Sequence, residues 1–129
     1  MNKVVAVALD KKFKRLEFKI QALAMALLKV GKKGNAYFEV YLVDKKFMNK
    51  NVLAFPAPHF FSRPDIKQKN LGEIYLNPDY IKKNSESLAY MLVHGFLHLL
   101  GYDHKKKSDR LIMEHKEARL LSRFSTFHF

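Results

Sequence analysis

Three histidines, His94, His98 and His104, have the type and spacing that metal chemistry requires. His94 and His98 lie four residues apart in an apolar stretch, and a helix there brings both onto one face, as two ligands of one cation must be. Gly101 stands where a helix C-terminus favours a left-handed residue, so the chain can reverse and return His104 to the same point. The whole run is His94-Gly95-Phe96-Leu97-His98-Leu99-Leu100-Gly101-Tyr102-Asp103-His104. Three neutral imidazoles at about 2.0–2.1 Å leave one tetrahedral position for water, the arrangement of a catalytic rather than a structural zinc site. Water in that position has a pKa of about 7 and is a nucleophile.

The chain has no Cys, which excludes a disulfide scaffold, thiolate zinc sites and a cysteine nucleophile, and leaves metal binding to His, Asp or Glu. Of the other histidines, His59 falls in a loop, His115 on the last helix and His128 near the end of the sequence. Each reads as an ordinary side chain, with His59 and His115 as secondary candidates to orient a ligand or touch substrate. The His-x3-His-x2-Gly-x2-His spacing also occurs in metzincin proteases, where a Glu follows the first His as general base. Here that position is Gly95. Asp103 is the only acid within the motif; it reads as orienting an imidazole or capping the turn, with a direct base role as the alternative.

Around this motif the chain has 129 residues, 48% hydrophobic and 28% charged, enough for one globular domain that buries roughly two thirds of its unfolded surface. Five Gly, four Pro, eleven Phe and six Tyr exclude a disordered or collagen-like chain. No apolar run approaches the roughly eighteen residues of a membrane helix, and Val4–Leu9 is too short for a signal-peptide core, so the expected location is the cytoplasm. With 24 Lys+Arg against 12 Asp+Glu the net charge is +12, a field that favours polyanions such as RNA. A Lys-biased composition explains the same charge without a nucleic-acid partner.

The elements that must position the histidines follow from periodicity. Val4–Leu9 reads as a buried strand, and Lys11 to Lys29 as an amphipathic helix with Leu16, Ile20, Leu23, Ala24, Leu27 and Leu28 on one face. Ala36–Val43 is aromatic and β-branched, a second strand, so the start of the chain predicts a right-handed βαβ crossover. Val52–Phe55 and Gly72–Leu76 are two more strands, closed by Pro56 and by Asn77-Pro78. Asn84 or Ser85 is expected to cap a helix through Leu100, and Ser108-Asp109 another to about Arg123. The predicted fold is α/β: a single domain, 1–129, with a four-stranded, at least partly parallel sheet covered by the N-terminal helix and the two C-terminal helices, and the cation in a groove between them.

The run from His94 to His104 resembles the signature of the YbeY family of bacterial ribosomal RNA maturation endoribonucleases. The likeness extends to Val43-Asp44, to Asn51-Val52-Leu53-Ala54-Phe55-Pro56, where the family has Asp-Val-Leu-Ser-Phe-Pro, and to Leu71-Gly72-Glu73-Ile74, where it has Leu-Gly-Asp-Ile. The resemblance implies a small mixed sheet and one Zn2+ held by His94, His98 and His104. It also implies single-strand-specific RNA cleavage in the maturation of the small-subunit rRNA 3′ end and in ribosome quality control. Family members carry an Asn and an Arg, the Arg a phosphate clamp, in a longer segment before the third strand. Here only Lys45 to Asn51 fill that segment, without an Arg. Lys50 and Arg63 are the candidates to replace it, as point charge and as fork, with ordinary surface charges as the alternative for both. Lys105, Lys106 and Lys107, next to His104, are further candidate RNA contacts.

The expected activity is metal-assisted hydrolysis of RNA, with either a cation-bound hydroxide or the RNA's own 2′-hydroxyl as nucleophile. Two rivals stand beside it: a non-catalytic, metal-containing RNA- or ribosome-binding factor, and a metzincin-like zinc protease, which Gly95 and the basic charge oppose. Nickel and copper suit three imidazoles as well as zinc does.

Overall fold

The computed structural model describes residues 1–31, 34–58 and 68–124. Its elements run β1 (Lys3–Ala8), a 3-10 helix (Lys11–Leu16), α1 (Glu17–Gly31), β2 (Ala36–Leu42), β3 (Val52–Pro56), β4 (Lys69–Leu76), α2 (Pro78–Lys83), α3 (Leu88–Leu99) and α4 (Lys107–Arg123). One sheet has the order β1-β2-β4-β3; β1, β2 and β4 are parallel and β3 runs antiparallel to β4. The mixed α/β sheet expected from the sequence is therefore present. Among the described residues no helix is long and apolar enough to cross a membrane.

Alternation along the strands decides which face is covered. Phe38, Val40 and Leu42 of β2 and Ile74 and Leu76 of β4 are fully buried, with Leu23, Leu27 and Leu28 of α1 and Leu92, Val93 and Phe96 of α3 equally so. Packing of α1 on β1 and β2, and of α3 across β3 and β4, makes this core. On the opposite face, Tyr75 stacks between Tyr41 and Phe47, with ring centroids 5.2 and 5.6 Å away. Contrary to expectation, α4 lies mainly on α3 rather than on the sheet, so it forms a second layer behind the central helix.

Three boundaries differ from the sequence expectation. The segment read as the start of one long helix is a 3-10 helix, with Asp10 Oδ1 accepting from the Lys12 N–H at 3.0 Å. Its three-residue repeat puts Phe13 and Leu16 on one side, so Phe13 is buried and Leu16 packs on the core while four basic residues stay outside. Between β4 and α3 the short α2 intervenes, begun by Pro78 and capped by Asn77, whose Oδ1 accepts from the Tyr80 N–H at 3.1 Å. Asn84 ends that helix and Ser85 takes a left-handed φ of 56°, so the central helix begins at neither. Its cap is Ser87, whose Oγ accepts from the Tyr90 N–H at 3.1 Å. The last helix starts one residue before Ser108, with Lys106 as a cap that makes no side-chain bond.

Asn77 also ties the short loop before β3 to the body of the molecule. Only 1% exposed, it donates from Nδ2 to the carbonyl of Met48 at 2.8 Å. The Lys45–Asn51 segment is thus anchored at its middle to the end of β4.

Candidate metal centre

Helix α3 is apolar on nearly every side, and Met91, Leu92, Val93, Phe96, Leu97 and Leu99 bury its surface. His94 and His98 are the exceptions: one turn apart and half-buried, they share the face the spacing assigns them. Gly95 makes the close approach of α3 to β4 possible. A Cβ at that position would lie 3.0 Å from Ile74 Cγ2 and 3.3 Å from Cδ1, so Ile74 fills the space that a side chain at 95 would need. Beyond the helix, Gly101 has φ 101°, and its N–H donates to the His98 carbonyl at 3.0 Å. This left-handed residue turns the chain so that His104 comes back to the other two.

The three imidazoles face one another. Ring centroids are 4.7 Å apart for His94 and His98, 5.2 Å for His98 and His104, and 5.7 Å for His94 and His104. One nitrogen from each lies within 4.8 Å of the others, a group able to hold a metal ion. His94 Nε2 and His98 Nε2 are 3.1 Å apart, close to the roughly 3.3 Å that two tetrahedral ligands at about 2.0–2.1 Å from one zinc must keep. Burial, with the neighbouring His94 and His104 adding to it, lowers the His98 pKa from 6.5, which favours the neutral form a ligand needs. The donor set and its spacing fit a single divalent transition-metal ion.

Glu117 supplies what the motif itself lacks. It is 3% exposed on α4, and its Oε2 accepts from His94 Nδ1 at 2.5 Å. That bond places the imidazole proton on Nδ1 and leaves the Nε2 lone pair facing the cluster. Glu117 Oε1 accepts from the Tyr90 hydroxyl at 3.1 Å. Burial first, then the charge of Glu117, pushes the Tyr90 phenol up to about 12. Neither residue stood out in the sequence. The available signal was the i, i+4, i+7 set Met113, Glu117 and Leu120, which are the buried residues of an otherwise polar helix and place one carboxylate among two apolar neighbours.

The remaining candidate residues are placed as follows. Asp103 Oδ1 accepts from the Lys105 N–H at 3.2 Å, a turn-capping bond. Lys105, Lys106 and Lys107 are exposed and immediately follow His104 in the chain. Lys50 is exposed just before β3, and His115 is exposed on α4, while Glu117 two residues on meets the imidazole. Arg63, His59 and His128 lie outside the described residues.

Fold and site together define a class: a mixed α/β domain whose central helix and following turn present three histidines to one cation. The sequence profile of the family described as Endoribonuclease YbeY matches residues 5–125, and the chain belongs to that family. Proteins named Endoribonuclease YbeY from Wolbachia sp. subsp. Drosophila simulans (strain wRi) and Ehrlichia canis (strain Jake) are 41% and 37% identical to it over 80 and 91 residues. These matches cover 56% and 64% of this chain and 50% and 56% of the relatives. A third relative of that name, from Rhizobium leguminosarum bv. trifolii (strain WSM2304), is 40% identical over 81 residues, 56% of this chain and 46% of its own. The chain spans about half the length of the curated relatives it matches.

Proposed function

We propose that this protein is a metal-dependent endoribonuclease that cuts single-stranded RNA, working in the cytoplasm on ribosomal RNA at the small-subunit 3′ end. The observation that carries the reading is the convergence of His94, His98 and His104 within 4.8 Å in a chain of net charge +12. Membership of a family whose relatives are named endoribonucleases supports it. The ion proposed is Zn2+, one per chain, which three imidazole nitrogens suit.

A cation in this cluster supplies Lewis acidity toward a phosphoryl oxygen. The protein's own residues do the rest. His94, His98 and His104 offer one nitrogen each to one point, and Glu117 holds the His94 proton on Nδ1, away from that point. Lys105, Lys106 and Lys107, next to His104 in the chain, attract the RNA backbone without reading its bases. Lys50 lies on the anchored loop before β3 and is the first candidate for the phosphate clamp. Arg63 remains the second candidate for the clamp, since its guanidinium grips a phosphate with two bonds.

The protease alternative loses ground at Gly95, because the general-base glutamate is absent there and even a Cβ would meet Ile74 at 3.0 Å. The test is cleavage of ribosomal RNA by protein of measured metal content, beside a chelated sample and a folded His98→Ala variant. Loss of cleavage in both controls is expected. Uncut RNA bound by fully metal-loaded protein would instead make this chain a non-catalytic RNA-binding factor, a reading consistent with the Arg-free Lys45–Asn51 loop.

A further inference from the structure

We propose that Tyr90 is a positioning residue for the metal centre, acting through the carboxylate of Glu117 to hold His94 as an Nε2 ligand. The inference rests on the reading that the three histidines bind a cation, and it concerns residues outside that set.

Glu117 is the one charged side chain among the buried residues described, and a buried carboxylate is costly unless its oxygens are occupied. Each oxygen has one side-chain partner: Oε2 takes the His94 Nδ1 proton and Oε1 takes the Tyr90 hydroxyl proton, at 2.5 and 3.1 Å. Among the described residues no Lys or Arg pairs with it, and its ion-pair partner there is His94. Tyr90 and His94 are four residues apart on α3 with ring centroids 6.1 Å apart, and both reach across to the same residue of α4. The Tyr90 backbone is itself fixed, because its N–H donates to the capping Ser87. A chain of two bonds therefore runs from the start of α3 to the ligand, fixing the carboxylate rotamer, the imidazole tautomer and the ring orientation in turn. Without the hydroxyl, Oε1 has no partner among the described residues and the carboxylate is free to turn from His94 toward water.

The experiment measures zinc affinity by competition with a chromophoric chelator for the parent protein, Tyr90→Phe, Glu117→Gln and the double variant, with circular dichroism confirming the fold of each. Glu117→Gln is expected to weaken binding about 10–100-fold, and Tyr90→Phe about three- to tenfold, because it acts one bond further out. The double variant should be no weaker than Glu117→Gln alone, since the hydroxyl works only through the carboxylate. Independently of any variant, 15N NMR of the metal-free parent should find the His94 proton on Nδ1. Parent-like zinc affinity in Tyr90→Phe, multiplicative losses in the double variant, or a proton on Nε2 would each overturn the proposal. A parent that binds no zinc would overturn the metal-centre reading itself, an outcome distinguishable from the others because RNA cleavage enters none of these measurements.

Discussion

Position 95 shows how one residue narrows the chemistry. Glycine there lets α3 settle on Ile74, whose side chain would lie 3.0–3.4 Å from any Cβ at this position. Gly95→Glu is therefore expected to cost about 1–3 kcal/mol by overpacking, read as a lower urea midpoint, and to confer no casein cleavage. A variant as stable as the parent would show that the packing is looser than the contact distances require. His98 gives a second expectation at the same scale. Its pKa in the folded protein lies below 6.5, so the unfolded chain takes up a proton first as pH falls. Stability contributed by neutral His98 is present above pH 6.5 and is lost as pH drops through the folded value. Urea midpoints of the chelated protein should then decline below pH 6.5, and His98→Gln should flatten that decline; equal slopes would contradict the assignment.

Elements read from periodicity were legible where burial is one-sided. The aromatic and β-branched run Ala36–Leu42 and the i, i+4, i+7 set of α1 each had one residue pattern and one physical solution. Boundaries were less legible because they turn on competing caps. Asn77, Asn84, Ser85 and Ser87 all carry capping side chains, and only the left-handed φ at Ser85 decides that α3 starts at Ser87. The histidine triad was readable because its geometry is local to a helix and one turn. The Tyr90–Glu117–His94 chain was not, because Glu117 reaches His94 from α4 across 23 positions of sequence. Asn77 illustrates what an element boundary contributes, since its oxygen caps α2 while its nitrogen holds the Met48 carbonyl. Asn77→Ala should lower stability by about 1–3 kcal/mol in urea unfolding, because a cap is lost and a carbonyl is left unpaired. A loss under half of that would mean the loop before β3 is not anchored there.

For the molecule as a whole, the net charge of +12 and the lysines beside His104 set the terms on which RNA arrives. If Lys105, Lys106 and Lys107 each meet a phosphate, replacing all three by Ala should reduce the slope of log affinity against log salt by about 2 for single-stranded RNA. An unchanged slope would place the backbone contacts elsewhere on the surface. Salt dependence alone does not separate a nuclease from a binding factor, because both neutralise phosphates. What separates them is whether turnover requires the histidine cluster to be filled. The decisive measurement titrates zinc into the chelated, refolded protein and follows cleavage of a single-stranded ribosomal RNA fragment at each addition. Activity should rise in proportion to bound zinc and level off at one equivalent per chain, whereas full activity without metal, or one equivalent bound with the RNA left intact, would contradict a metal-dependent nuclease.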